Sequence, residues 1–561
     1  MGDRGIRIHN KLVRLVTSGR LILWVLPLIL LMGAWAAIEG RRQQQKRAQA
    51  ERLLQEGRIS EAAEIVREVP GRRAHALRLV AQALDPDQPE PQPSPPLALQ
   101  GIPWRVLLQQ NLEKGRHQAL LRLTRLLDRV EEPSVETSLY GAAALLELGR
   151  HDQAEARLRR LSADWRGHPM AGRVSRSLQL LARGARTLIR DRNDTLIGYL
   201  DADGQLQLLE GIDPSWLPRQ LAERLRRHGQ AGGLRLTLDL ELSRISLASL
   251  RGRRGSVVLL DPPSGDILAA VSDSRTLRRE KGTTPAFQQR REPASIAKLI
   301  TLSAALRAGV DIDGEVRSMR CNGTIRYPDG VVWCPVGAGR VRSIERALAL
   351  SCNTAFAKLG DILGAEALLA EFRRFGFDSG QLNGFPLGRI LIPDPEGTQL
   401  GNLSIGLEAT DITPLHSALM AAIFANQGKM PVPGLIKAET GVLGYSWRRL
   451  QRGPALQVID PIWIPRLQRA MQAVTRQGTA QGIAPYDFPV AMKTGTGRNP
   501  GLPFHTNYIG VGPLPRPNIA FSVRITNYWS SKKARYATRT VSRRLLRSLR
   551  YQTHSLESAA D

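Results

Sequence analysis

Hydrophobic and polar positions divide the chain into four textures. The first is one uncharged run, residues 21–38 (LILWVLPLILLMGAWAAI), which as a helix would span about 27 Å and so predicts a membrane crossing. The second comprises three stretches, LLQEGRISEAAEIV around Gly57, NLEKGRHQALLRL around Gly115 and LLELGRHDQAEARLRRL around Gly149. In each, apolar residues at helical spacing precede a Gly-Arg turn and resume behind it, which predicts two short antiparallel helices with Ala at their crossing. The third, residues 187–235, alternates short strands with turns, the Asp203-Gly204 pair among them, and closes on an amphipathic helix near 216–228. The fourth begins near residue 254. There GSVVLLDPPSGDILAAVS reads as a hairpin, and TNYIGVGPLPRPNIAFSVRI repeats the pattern near the C-terminus. Strands at both ends with helices between predict an α+β fold, an antiparallel sheet covered by helices. The closing segment KKARYATRTVSRRLLRSLRYQ places Ala537, Val541, Leu545 and Leu549 on one helical face, suited to packing on that sheet.

The implied organisation is a cytoplasmic N-terminus (1–20), a transmembrane helix (21–38), a helical segment (40–84), a linker (85–100), a second helical region (101–186), a connecting region (187–235), a large α+β domain (236–551) and a tail (552–561). In the linker, DPDQPEPQPSPP holds six prolines in twelve residues, a composition that favours stiff, extended chain. Gly115 and Gly149 are 34 residues apart, and the helical stretches resemble degenerate tetratricopeptide repeats, with a plain helical stalk as the alternative.

Charge adds an orientation. Arg4, Arg7, Lys11, Arg14 and Arg20 precede the apolar run against one acid, which by the positive-inside rule keeps the N-terminus in the cytoplasm and everything beyond residue 40 outside it. A single-pass protein of the cytoplasmic membrane follows, its large domain extracytoplasmic. Ala34-Trp35-Ala36 resembles a cleavage site, but the apolar run continues past it, which favours an uncleaved anchor. The formal charge of +28 predicts attraction to polyanions. An external location without a base-reading motif excludes nucleic acid, leaving anionic lipid or wall polymer.

The three cysteines, Cys321, Cys334 and Cys352, form no Cys-x-x-Cys pair and have no matching His cluster, so no metal site is expected. Cys321 and Cys334 flank a Tyr-Pro-Asp-Gly turn. A disulfide between them and two reduced thiols are both open.

Three short motifs occur inside the α+β region in fixed order. Ser295-Ile-Ala-Lys298 follows Pro293 and opens an apolar helix, so its i, i+3 spacing sets amine and hydroxyl on one face. A serine hydroxyl is a weak nucleophile, and a lysine whose pKa is lowered by burial can activate it. Ser351-Cys-Asn353 sits between two helices, where a turn directs both polar groups into one cleft. Lys493-Thr494-Gly495-Thr496 follows an apolar strand and offers a cation, two hydroxyls and a glycine over which a peptide backbone can pass, while the N–H groups of Ser295 and Thr496 suit an oxyanion hole.

Ser-x-x-Lys, Ser-x-Asn and Lys-Thr-Gly in this order are similar to the set found in penicillin-binding proteins and class A β-lactamases. The likeness covers roughly residues 235–550 and includes LSIGLEATDITPLHSALMAAIFANQG. It implies a monofunctional, class B-like serine D,D-transpeptidase without a cofactor, which cross-links peptidoglycan stem peptides and binds β-lactams covalently. Carried over by position, it implies Ser295 as nucleophile, Lys298 as base, Ser351 and Lys493 as proton relay, Asn353 as amide contact, and Thr494, Gly495 and Thr496 as binders of the substrate's carboxylate and backbone. The Cys321 and Cys334 pair resembles one found before the second motif in some elongation-type transpeptidases. Two departures stand out. The chain reads Gly406-Leu407-Glu408 where the family often has Gly-Gln-Gly, and Gly337-Ala338-Gly339 where it often has Gly-His-Gly. A D-Ala-D-Ala carboxypeptidase would use the same residues, and a scaffold recruiting other wall-synthesis proteins through the helical region would need none of them.

Overall fold

The structure is a computed structural model that describes residues 20–93, 102–130, 133–161, 167–218, 221–228, 232–279, 284–337 and 339–557. Most of the expected cytoplasmic stretch 1–20, part of the proline-rich segment 85–100 and the end of the tail 552–561 lie outside the described residues. The chain divides into two compact units, one running to Arg183 with Gly441–Trp447 added, the other Gly184–Thr440 with Arg448–Asp561.

The first unit is helical: α1 (Arg20–Glu56), α2 (Ile59–Val66), α3 (Arg72–Leu84), α4 (Trp104–Glu113), α5 (His117–Val130), α6 (Val135–Glu147), α7 (His151–Leu158) and α8 (Ala171–Ala182). The Gly-Arg turns end α1, α4 and α6 by one device. Gly57, Gly115 and Gly149 each take a positive φ, and the following Arg N–H donates to the carbonyl of Leu53, Asn111 or Leu145 at 2.8 Å in all three. This six-to-one bond caps carbonyls that the helix end leaves unpaired, and a Cβ would strain the left-handed residue it requires. Pairs of helices thus form where the periodicity indicates. The proline segment is not a free spacer where it is described. Arg122 donates to the carbonyls of Gln82 (2.8 Å), Pro86 (3.2 Å) and Pro89 (2.9 Å), and Arg125 and Arg129 pair with Glu90. Carbonyls that proline-rich chain cannot use in secondary structure are met by arginines of α5.

The expected membrane span lies in the N-terminal half of α1. Its side chains through position 28 lie outside those described; beyond them Ile29, Leu30, Leu31, Met32, Trp35 and Ile38 are exposed. Among the described residues no helix is long and apolar enough to cross a membrane. The described part of the run, 29–38, is half of the roughly 20 apolar residues a crossing needs.

The second unit is α+β. Its main sheet is antiparallel, with strands β1 (Gly255–Leu260), β2 (Ile267–Ser272), β3 (Ala491–Gly497), β4 (Phe504–Gly512) and β5 (Ile519–Tyr528) in spatial order β3-β4-β5-β1-β2. The two expected hairpins are β1–β2 and β4–β5. Helix α9 (Leu240–Leu250) and the C-terminal helix α16 (Ser531–Glu557) cover one face, and α14 (Pro414–Ala425) covers the other. Ala537, Val541, Leu545 and Leu549 of α16 are fully buried, and each larger apolar side chain so placed stabilises the layer by about 1.5–3 kcal/mol. Beyond α14 lies a helical lobe of α10 (Lys298–Arg307), α11 (Ile344–Leu350), α12 (Asn353–Arg374), α13 (Gly397–Ile405) and α15 (Ile464–Gln477). The region 187–235 belongs to this unit: Thr187–Arg190 pairs with Leu196–Leu200 and, in parallel, with Gly233–Leu236, which in turn pairs with Ile436–Thr440.

Candidate active site

Three segments meet beside β3, an edge strand of the main sheet. Ser295 lies in a single 3-10 turn, Ala294–Ile296, and Lys298 is the first residue of α10. Ala294 holds φ +52°, a left-handed value that costs a non-glycine residue energy, so its surroundings must fix it. They do: its N–H donates to Gly406 O at 2.8 Å. Gly406 itself sits at φ +78°, where an added Cβ would stand 2.3 Å from Ala294 O. Only glycine fits there.

Helix α11 ends at Ser351 in the left-handed conformation (φ 57°), and α12 starts two residues later at Asn353. That sharp reversal is what presents Ser351 and Asn353 together. Lys298 Nζ donates to Asn353 Oδ1 (2.6 Å), Ser351 O (2.8 Å) and Ser351 Oγ (3.2 Å), and Asn353 Nδ2 is held by Trp333 O at 2.6 Å. From β3, Lys493 Nζ donates to the same Ser351 Oγ at 3.0 Å and to Thr494 O at 2.8 Å. Both ammonium groups are fully buried. Burial brings Lys298 down to about 7. Lys493 is held well below its ordinary value, first by burial and then by the charge of Lys298.

Ser295, Ser351, Asn353, Thr494 and Thr496 line one open cleft of about 580 Å³. The expected residues from the three motifs are therefore brought together, with Lys298 and Lys493 buried behind the cleft. At Gly495 a Cβ would meet Pro293 O at 3.0 Å and Asn507 O at 3.2 Å, so its bareness also admits the segment bearing the serine.

The Cys321–Cys334 disulfide is not formed: all three cysteines are free and buried. Cys334 Sγ stands 3.8 Å from Cys352 Sγ and accepts the Asn353 N–H at 3.2 Å, while Cys321 Sγ lies 3.4 Å from Thr354 Oγ1. The turn before Asn353 draws Cys352 inward, so the three sulfurs gather within 4.8 Å of one another. The hydrogen bond with Cys334, and then burial, push the Cys352 thiol up.

Two participants escaped sequence reasoning. Glu292, buried, accepts the N–H of Glu408 (2.9 Å) and of Arg498 (3.0 Å), tying the serine segment to the 406–408 loop and to the end of β3. Burial pushes its carboxyl up. Thr479 shares a 2.6 Å hydrogen bond with the Thr494 hydroxyl and fixes its direction. No local signal marks either residue, because each acts on partners remote in sequence.

Residues 255–547 match the family model of the penicillin-binding protein transpeptidase domain. The chain belongs to that family. It is 28% identical over 372 residues to the peptidoglycan D,D-transpeptidase PbpA of Mycobacterium tuberculosis, covering 57% of this chain and 72% of the relative. It is 27% identical over 354 residues to the peptidoglycan D,D-transpeptidase MrdA of Acinetobacter baumannii, covering 52% and 50%. Among solved structures, the penicillin G acyl-enzyme complex of penicillin-binding protein A from M. tuberculosis superposes with a TM-score of 0.54 at 24% identity, over 65% of this chain and all of that one. This likeness is one of fold.

Proposed function

We propose that the chain is a serine D,D-transpeptidase that cross-links peptidoglycan stem peptides through an acyl-enzyme on Ser295, and that β-lactams acylate the same hydroxyl. The observation that carries this reading is the Ser351 hydroxyl hydrogen-bonded by Lys298 and Lys493 at the back of the cleft that Ser295 lines.

In the proposed reaction, Lys298, brought to about 7 by burial, has a substantial neutral fraction near neutral pH and in that form takes the proton of Ser295 Oγ. The oxygen attacks the carbonyl of the penultimate D-Ala. The N–H groups of Ser295 and Thr496 hold the oxyanion, while Thr494 and Thr496 bind the terminal carboxylate and Asn353 the donor amide. As the C–N bond breaks, the departing amine takes a proton from Ser351 Oγ, which is resupplied by Lys493. An amine of a second stem then attacks the ester, the same groups working in reverse, and Ser295 recovers its proton. Glu292 acts by positioning.

The membrane anchor belongs to this proposal as well. The uncharged run 21–38 and the basic residues ahead of it support a single crossing with the catalytic domain outside. Carbonate-resistant membrane association of the full chain, lost when residues 1–40 are removed, tests it; full-chain protein that washes off would refute it. The repeat-like helices are proposed to bind other wall-synthesis proteins.

The reaction is tested by incubating the enzyme with a donor peptide ending in D-Ala-D-Ala and an amine acceptor. The expected result is release of D-Ala with a new donor–acceptor amide. Release of D-Ala with hydrolysis alone would assign a carboxypeptidase, and no release by folded enzyme would refute acyl transfer.

A further inference from the structure

One wall of the active-site cleft is not used by the reaction above. Lys532, Arg535 and Arg539 of α16 line it, at positions i, i+3 and i+7, so the three cations form one stripe on one helical face. The residues facing the sheet, Ala534, Ala537, Val541 and Leu545, are fully buried, so the stripe lies on the outer side of the helix, with Lys532 and Arg535 exposed at the rim of the cleft.

The stripe is electrostatically uncompensated. Among the described residues lining the cleft there is no acid, and none of the three cations forms an ion pair. Like charges one turn apart repel, and the first turn of α16, which holds Lys532 and Lys533, contains no acid to favour the positive end of the helix dipole. Further along the same helix Arg550, by contrast, pairs with Asp487, which lies ahead of β3. Arg539 is also held in place, donating to Gln481 O. An organised row of cations beside a catalytic serine, maintained against its own repulsion, suits an anionic ligand that arrives from solution.

The terminal carboxylate of the stem has Thr494 and Thr496 in the reading above. We infer that the Lys532–Arg535–Arg539 stripe binds a second carboxylate of the stem peptide, one carried on the diamino residue next to the D-Ala pair, and so selects stems bearing a free carboxylate there over stems in which it is absent or amidated. Arg535, at the centre of the row, makes the bidentate contact for which a guanidinium is shaped. This inference rests on the transpeptidase reading and adds the class of stem it uses. The carboxylate comes from the acyl donor or from the acceptor, and the test has one arm for each.

In the donor arm, kcat/KM for D-Ala release is measured with two synthetic stems that differ only in a carboxylate or carboxamide at that residue. In the acceptor arm, cross-linked product is measured with one donor and the same pair of groups beside the attacking amine. The expected result is a carboxylate preference of about tenfold or more in one arm, as a single charge-assisted contact supplies, falling towards unity in Arg535→Gln and surviving in Arg535→Lys only in part. The preference should weaken as salt rises from low to physiological concentration. No preference in either arm, or a preference that Arg535→Gln and Lys532→Gln both leave intact, overturns the inference. Stoichiometric penicillin labelling, run on every variant, separates this failure from that of the reading beneath it. Labelling without carboxylate preference removes only the stripe's role, whereas an unlabelled, folded wild type removes the transpeptidase.

Discussion

Lys298 and Lys493 donate to one hydroxyl, Ser351 Oγ, at 3.2 and 3.0 Å. Two ammonium groups sharing so short a bridge in a buried site cannot both remain charged at little cost, and the site therefore titrates as a pair.

The first expectation is a pH profile. The neutral amine of Lys298 is the base and is held at about 7, so acylation should rise with pH along a limb with an apparent midpoint near 7. Stopped-flow acylation by a chromogenic β-lactam between pH 5 and 9 measures it. A rate that falls as pH rises through 7 would contradict the assignment of the base.

Ser351→Ala removes the bridging hydroxyl and leaves both lysines in place. Proton transfer to the departing amine should fail, lowering kcat/KM for a D-Ala-D-Ala donor by about 10²–10⁴-fold. Steady-state D-Ala release, with thermal melting as the check on folding, reads this out.

Gly406→Ala places a Cβ against Ala294 O at a φ that only glycine takes freely. The turn that carries Ser295 must shift. The variant is expected to lose more than about 1 kcal/mol of stability and to acylate more slowly, by urea denaturation and by the same β-lactam assay.

His416 is buried with both ring nitrogens engaged: Nδ1 accepts the Gly388 N–H at 2.8 Å and Nε2 faces Phe375 O at 2.7 Å. Burial lowers His416 to about 4 and His505 to about 3. Below the unfolded pKa of about 6.5 the unfolded chain takes protons that the fold refuses, so stability falls with pH from about 6.5 towards 4, by up to about 1.4 kcal/mol per unit for each group. Urea midpoints at pH 7 and pH 5 should show the loss, with a shallower slope in His416→Gln; equal slopes would contradict it.

Alkylation of the unreduced, denatured protein should modify Cys321, Cys334 and Cys352, adding three labels by mass. A Cys321–Cys334 disulfide would leave one. In the folded state, burial should make all three slow to react.

The catalytic motifs were legible because the acylating chemistry is written locally: Ser295 and Lys298 are one helical turn apart, Ser351 and Asn353 flank one turn, and Lys493 to Thr496 occupy one strand. The Gly-Arg turns and the Ala537, Val541, Leu545 stripe were legible for the same reason. Residues whose partners are far along the chain were not. Spacing singles out Cys321 and Cys334 as a pair and leaves Cys352 apart, yet the 320s, the 330s and the Ser351 turn fold onto each other and bring all three sulfurs together. Glu292 belongs to no motif, and only the folded 406–408 loop and the end of β3 give it its partners. Gly495 also makes room for Pro293, which no pattern announces, since the sequence does not tell which backbone approaches a bare Cα.

Peptide mapping of the benzylpenicillin adduct identifies the acylated hydroxyl, which the site makes Ser295. One adduct per folded chain is expected, on the peptide carrying Ser295, and none in a folded Ser295→Ala variant. An unlabelled wild type, or an adduct on another residue, would contradict it.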